Sequence, residues 1–151
     1  MMYYPEFKRA SKKHLISCEC LISLLDIECK QKERHVLTTI YYLTGYIFET
    51  ILKFSIYSAI GYQRNKDVSE LNSHGLEYTK YSMQTHSLMN LKEKLEAKTI
   101  NRLKNYDSNK KLFNAWSSED RYRDKIDFSK EEIILFFEFS KQTYEMLQQY
   151  K

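Results

Sequence analysis

A chain of 151 residues is long enough for one domain with a substantial core, and its 3 glycines and 1 proline are too few for a turn-rich β-sandwich. Its formal charge of +4 permits an acidic partner or RNA without requiring either. Cys18, Cys20 and Cys29 are odd in number and form no CxxC pair, so they read as reduced thiols of a cytoplasmic protein, excluding a disulfide framework or a zinc site.

The first predicted helix runs from about Pro5, suited to a first turn, to Glu28, with a stripe of Leu15, Cys18, Ile22 and Leu25. Lys30 to Arg34 reads as a charged connector. A central helix follows over about His35 to Ile60, stopped by Gly61 as a C-terminal cap. Gln63 to Thr79 is polar and aperiodic, the longest expected loop. A third helix starts near Thr85, Thr85 being its candidate N-cap, and buries Leu88, Leu91 and Leu95. A fourth lies around Asn109 to Tyr122 with Leu112, Phe113 and Trp116. The last begins at Ser129, where Ser129 and Glu132 have capping-box spacing, and continues through Ile133, Phe136, Phe137, Ser140, Tyr144 and Leu147. The fold class is therefore all-α: residues 1–151 form a single antiparallel bundle of four principal helices plus a shorter one.

The central helix holds the most information. Tyr42, Tyr46, Glu49, Lys53 and Tyr57 share one narrow sector, while the remaining circumference is almost wholly apolar, as expected of a helix covered by neighbours. Ile40 to Tyr62 would be long enough to span a bilayer, but Glu49 and Lys53 would then sit near its middle. Nor does a signal-peptide pattern open the chain, since Lys8, Arg9, Lys12 and Lys13 are followed by Cys18-Glu19-Cys20. No membrane segment is expected. Burying Glu49 with Lys53 gains little stability, because desolvation offsets the attraction. The pair either closes a polar network or lines a site.

Tyr41-Tyr42-Leu43-Thr44-Gly45-Tyr46, then Glu49, then Leu52-Lys53, resembles the hallmark helix of HEPN domains (the higher eukaryote and prokaryote nucleotide-binding group). Thr85-His86-Ser87-Leu88 is similar to that family's Thr-His-x-Leu opening of the next helix. Trp116, followed by Arg121-Tyr122-Arg123, resembles the aromatic-spacer-Arg-Tyr element of nucleotidyltransferase-associated members. The resemblance covers about Pro5 to Tyr150. It implies a helical partner or effector module that binds nucleotide, RNA or a protein such as a small nucleotidyltransferase, in toxin–antitoxin or phage-defence systems, and that forms a homodimer. Many members are metal-independent ribonucleases carrying an Arg followed a few residues later by a His. That pair is missing here: His35 adjoins Arg34, His74 lies too far beyond Arg64, and no His follows Arg102, Arg121 or Arg123.

The candidate polar centre comprises Glu49, Lys53, Tyr46, His86, Arg121, Tyr122 and Arg123. Glu49 orienting His86 or Arg121 stands against a local Glu-Lys pair that only supports the helix. His86 either caps a helix start or handles a proton near neutrality, with arginines gripping phosphate. His86 and Arg121 are thus the catalytic candidates of a ribonuclease reading, and a purely structural adaptor is the third reading. Trp116 is expected in the core, with base stacking as the alternative. Gly45 implies a close helix crossing or a dimer seam. Lys92 to Lys111 holds seven Lys or Arg against three acids, which fits either an RNA track or a solvated face. No P-loop, GxGxxG, HExxH or nucleophile elbow occurs, so no cofactor and no metal is expected.

Overall fold

The computed structural model describes residues 1–26, 30–72, 78–123 and 126–151. Cys29, His74 and the expected end of the first helix at Glu28 lie outside the described residues. Five α-helices are present among the described residues: α1 (Pro5–Ser23), α2 (Lys30–Ala59), α3 (Leu88–Lys98), α4 (Tyr106–Ala115) and α5 (Lys130–Leu147). The all-α class is as expected, and a 3-10 turn extends the end of α1; the fourth helix, expected over Asn109 to Tyr122, instead spans Tyr106–Ala115, since Trp116 and Ser117 are extended before a separate 3-10 turn over Ser118–Tyr122.

Helix α2 begins at Lys30, so the charged connector is helix. Lys, Gln, Glu and Arg are good helix formers and nothing in Lys30–Arg34 breaks the pattern. Tertiary contacts hold this first stretch: Arg34 Nη1 donates to the Phe128 carbonyl at 2.8 Å, and Lys130 Nζ stands 3.4 Å from Glu33 Oε1. The other end stops as expected, with Gly61 at φ +74°. Helix α5 opens on the expected capping box, with Ser129 Oγ accepting from Glu132 N and Glu132 Oε1 from Ser129 N.

Helix α2 is the axle. Its antiparallel partner α1 is keyed by Ser11 Oγ donating to the Ile47 carbonyl at 2.9 Å, by Cys18 beside Ile40 and Thr44, and by Tyr4 on Phe54. Helix α5 runs along α2 in the same direction, so this pair is parallel where an antiparallel bundle was expected: Lys130 lies beside Glu33, Phe136 packs against Tyr41 and Phe48, Phe139 against Phe48, and Lys151 reaches Ser58. Phe113 of α4 completes the ring cluster on Phe48 at 5.1 Å, edge to face. Cys18 and Cys20 are free thiols, and burial pushes the Cys18 thiol up to about 12, so it stays protonated and inert. No described helix is long and apolar enough to cross a membrane.

Gly45 marks a close approach within the chain. The Trp116 indole lies flat against it, so that a Cβ built there would fall 1.8 Å from Cε2. Trp116 is buried, and its Nε1 donates to the Tyr42 carbonyl at 3.0 Å. The space that a dimer seam would need at Gly45 is filled by the chain's own tryptophan.

Candidate functional site

Four pieces of chain meet on the polar sector of α2. Glu49 and Lys53 project from α2 itself, one turn apart. Their side chains are only 6% and 7% exposed, and Nζ stands 2.9 Å from Glu49 Oε1. The Lys53 ammonium also lies 5.8 Å from the centre of the Phe7 ring.

The segment before α3 supplies His86. Thr85 and Ser87 are extended, so the chain runs beside α2 before turning helical. The cap of α3 is Ser87, whose Oγ accepts from Asn90 N at 3.2 Å, and Thr85 is not the cap. Thr85 Oγ1 instead accepts from Ser87 N at 3.0 Å. The correction has a simple cause: in the Thr-His-Ser run both hydroxyls can close local turns, and Leu88 is the first residue buried helically. His86 is thereby pinned on both sides. Its Nδ1 lies 3.0 Å from Glu49 Oε1 and 3.1 Å from Oε2. An ionised carboxylate only accepts, so Nδ1 carries the hydrogen and Nε2 is left toward solvent on a side chain 56% exposed. A buried acid holding one imidazole nitrogen sets tautomer and orientation, as in a general-base dyad.

Helix α1 contributes a residue that sequence reasoning missed, His14. Its ring packs 5.8 Å from that of Tyr46. Burial lowers its pKa below the ordinary 6.5, Lys13 adds to this, and Glu49 opposes both. A signal was present: Phe7, Ser11, His14 and Cys18 recur at helical spacing on the face that meets α2. Because the folded value is depressed, the unfolded chain takes the proton first. Stability is complete above about 6.5 and declines as pH falls through the folded value. Urea unfolding between about pH 7 and about pH 5 should therefore show wild type losing more stability than His14→Gln. Equal pH dependence in the two proteins would remove His14 from this account.

The 3-10 turn Ser118–Tyr122 brings the arginines. Trp116 meets Tyr46 edge to face at 5.0 Å, and Tyr46 meets Tyr42 at 5.0 Å in the same manner. Burial pushes the Tyr46 hydroxyl well above its ordinary range, together with its neighbour Tyr42 and the Glu49 charge, while Arg121 opposes. Tyr46 therefore stands within the fields of both Glu49 and Arg121. Arg121 is exposed, with its guanidinium 4.7 Å from the Tyr122 ring centre, and Tyr122 first and Tyr42 second hold it further in its charged form. Arg123 is engaged elsewhere. Its Nε lies 3.2 Å from Oδ1 of the buried Asp120, an ion pair without hydrogen-bond alignment. Asp120 Oδ2 accepts from Ser117 N at 2.9 Å and closes a capping box that fixes the turn.

Lys53 and His86 thus both touch Glu49, Tyr46 feels the charges of Glu49 and Arg121, and Tyr122 backs Arg121. The basic stretch from Lys92 does not form one track. Lys92 pairs with Glu96 at 2.8 Å, Lys94 is buried, and Arg102 Nη1 donates to the carbonyls of Glu96, Thr99 and Asn101. Among the described residues no three His, Cys, Asp or Glu side chains are grouped to hold a metal ion. Comparison with protein-family models, with curated proteins and with solved structures finds no match to this chain.

Proposed function

We propose that the chain is a HEPN-like helical binding module that takes a phosphate-bearing ligand at the Glu49–His86 edge, as a homodimeric partner or effector in a nucleotidyltransferase-linked, toxin–antitoxin or phage-defence system. The observation that carries this reading is the buried Glu49 carboxylate contacting His86 Nδ1 with both oxygens, which leaves Nε2 free on a half-exposed ring, while Tyr46 on the same helix feels both the Glu49 charge and that of the tyrosine-backed Arg121. A structural pair alone does not need a half-exposed imidazole held in one tautomer. A planar guanidinium is suited to phosphate oxygens, and with Nδ1 held by Glu49 the outward Nε2 donates to one when the ring is the imidazolium. A nucleotidyltransferase is the favoured protein partner.

The test is titration of the protein with 5′-AMP while following the His86 ring resonances. A saturable shift is expected, weakened about tenfold or more in Arg121→Gln, since one charge-assisted contact is worth that much. No shift up to about 1 mM AMP would remove phosphate binding from this edge. A monomeric mass by light scattering would remove the homodimer.

A second reading, a metal-independent ribonuclease, draws on the same dyad: His86 Nε2 would take the ribose 2′-hydroxyl proton as that oxygen attacks phosphorus, Arg121 would steady the charged phosphorane, and the 5′-oxygen would leave with the proton returned by His86. Labelled total tRNA incubated in EDTA separates the two. The binding reading expects intact RNA, whereas cleavage lost in both His86→Ala and Arg121→Ala would install the nuclease.

A further inference from the structure

A second basic surface lies away from the Glu49 cluster, between the start of α1, the turn after α2 and the end of α5. It is a groove of about 460 Å³ lined by Lys8, Arg9, Lys12, Arg64, Phe54 and Tyr144, closed at one end by Tyr150 and Lys151. Among the described residues no Asp or Glu side chain lines it. Glu6 reaches Arg9 only at 3.9 Å, and among the described residues Lys8, Lys12 and Arg64 have no carboxylate within ion-pair distance. Like charges gathered without counter-charges repel one another and cost stability, so an anion that neutralises them binds favourably.

The cations rest on rings. Lys8 Nζ is 5.4 Å from the Phe54 centre, Lys12 Nζ 5.6 Å from that of Tyr144, and the Arg64 guanidinium 5.9 Å from that of Tyr4. Lys8 also donates to the Gln148 carbonyl at 2.6 Å, which ties α1 to the end of α5. Tyr150 is half-exposed with its hydroxyl held by Asn101, leaving ring surface for a stacked base. Lys8 and Lys12 stand one turn apart on α1, about 6 Å along the axis, a spacing that suits successive phosphates of an extended strand. An acidic peptide would use the cations but not the rings, and an inorganic anion would need only one or two of the charges.

We infer that this groove binds the phosphate backbone of a single-stranded nucleic acid, with a base stacked on Tyr150. This names a ligand class for the binding module proposed above but uses separate residues. Such binding is expected to be salt-dependent, each neutralised phosphate releasing counterions, and tolerant of sequence.

The experiment is fluorescence anisotropy with a labelled oligouridylate of about ten nucleotides. The wild-type chain is compared with Lys8→Gln/Lys12→Gln/Arg64→Gln and with Lys98→Gln/Lys104→Gln/Lys110→Gln. The second triple removes equal charge from exposed positions outside the groove. The groove triple should lose at least about tenfold in affinity, with a log-log salt slope shallower by about 2, while the control keeps most of its binding. Circular-dichroism melting verifies that both triples fold, and Arg64→Gln alone, at an exposed turn, provides a milder variant with a smaller loss in the same direction. Equal losses in the two triples would overturn the groove as the site. Wild-type-like binding by the groove triple would overturn it too, as would displacement of the RNA by oligoglutamate as readily as by unlabelled oligouridylate. Loss of oligouridylate binding with an intact His86 response to AMP, or the converse, tells failure of this inference from failure of the edge reading.

Discussion

Gly45→Ala is expected to destabilise the protein by about 2–3 kcal/mol, although alanine is the better helix former by about 1 kcal/mol. The added methyl would lie 1.8, 1.9 and 2.2 Å from Cε2, Nε1 and Cδ2 of Trp116. The indole has little room to retreat, because it donates to the Tyr42 carbonyl and meets Tyr46 edge to face. The same substitution made together with Trp116→Ala should reverse sign, gaining about 1 kcal/mol relative to Trp116→Ala alone. Urea unfolding of the four proteins measures the coupling, expected at about 3 kcal/mol or more for groups in contact. Additive effects would show that Trp116 does not rest on Gly45. Since Trp116 is the only tryptophan, its emission should also shift in the Gly45→Ala protein. The consequence reaches the candidate site, because Trp116 leads directly into the turn that carries Arg121.

Glu49→Leu should be costlier still, at about 3–5 kcal/mol, because it leaves the Lys53 ammonium buried without its partner. Replacing both, as Glu49→Leu/Lys53→Met, should recover most of that loss, since a buried ion pair is often no better than apolar side chains of similar volume. Denaturant midpoints settle the comparison. A double variant as unstable as the single would mean that the loss comes from His86 and its surroundings instead of from the stranded lysine. The folded double variant also tests the site, because its His86 lacks the carboxylate that holds Nδ1. It should give no saturable response to AMP, whereas a purely structural pair would leave that response unchanged.

Periodicity and local chemistry made much of this molecule legible before any coordinates. The buried faces of α3 and α5, the Ser129 cap and the Gly61 stop depend on neighbours a few residues away, which a single sequence displays. The sector Tyr42, Tyr46, Glu49, Lys53 was equally plain, and so was the choice it posed between a closed local pair and a partner from elsewhere. Lys30–Arg34 was misread as a connector because charge suggests solvent, while its helical state is supported by Phe128, Ile126 and Lys130, roughly a hundred residues away.

By itself the sequence determined an all-helical chain, its central helix and the Glu49–Lys53 pair, because spacing along one helix is a property of contiguous residues. Only the tertiary structure decided which groups meet that pair. His86 rather than Arg121 sits on Glu49, His14 of α1 packs on Tyr46 beside it, Arg123 is diverted to Asp120, and Trp116 occupies the gap at Gly45. The physical reason is one of range. Helix propensity and capping act over a few residues, whereas the partners of a buried charge are chosen by packing between elements distant in the chain, where desolvation leaves few arrangements that satisfy it.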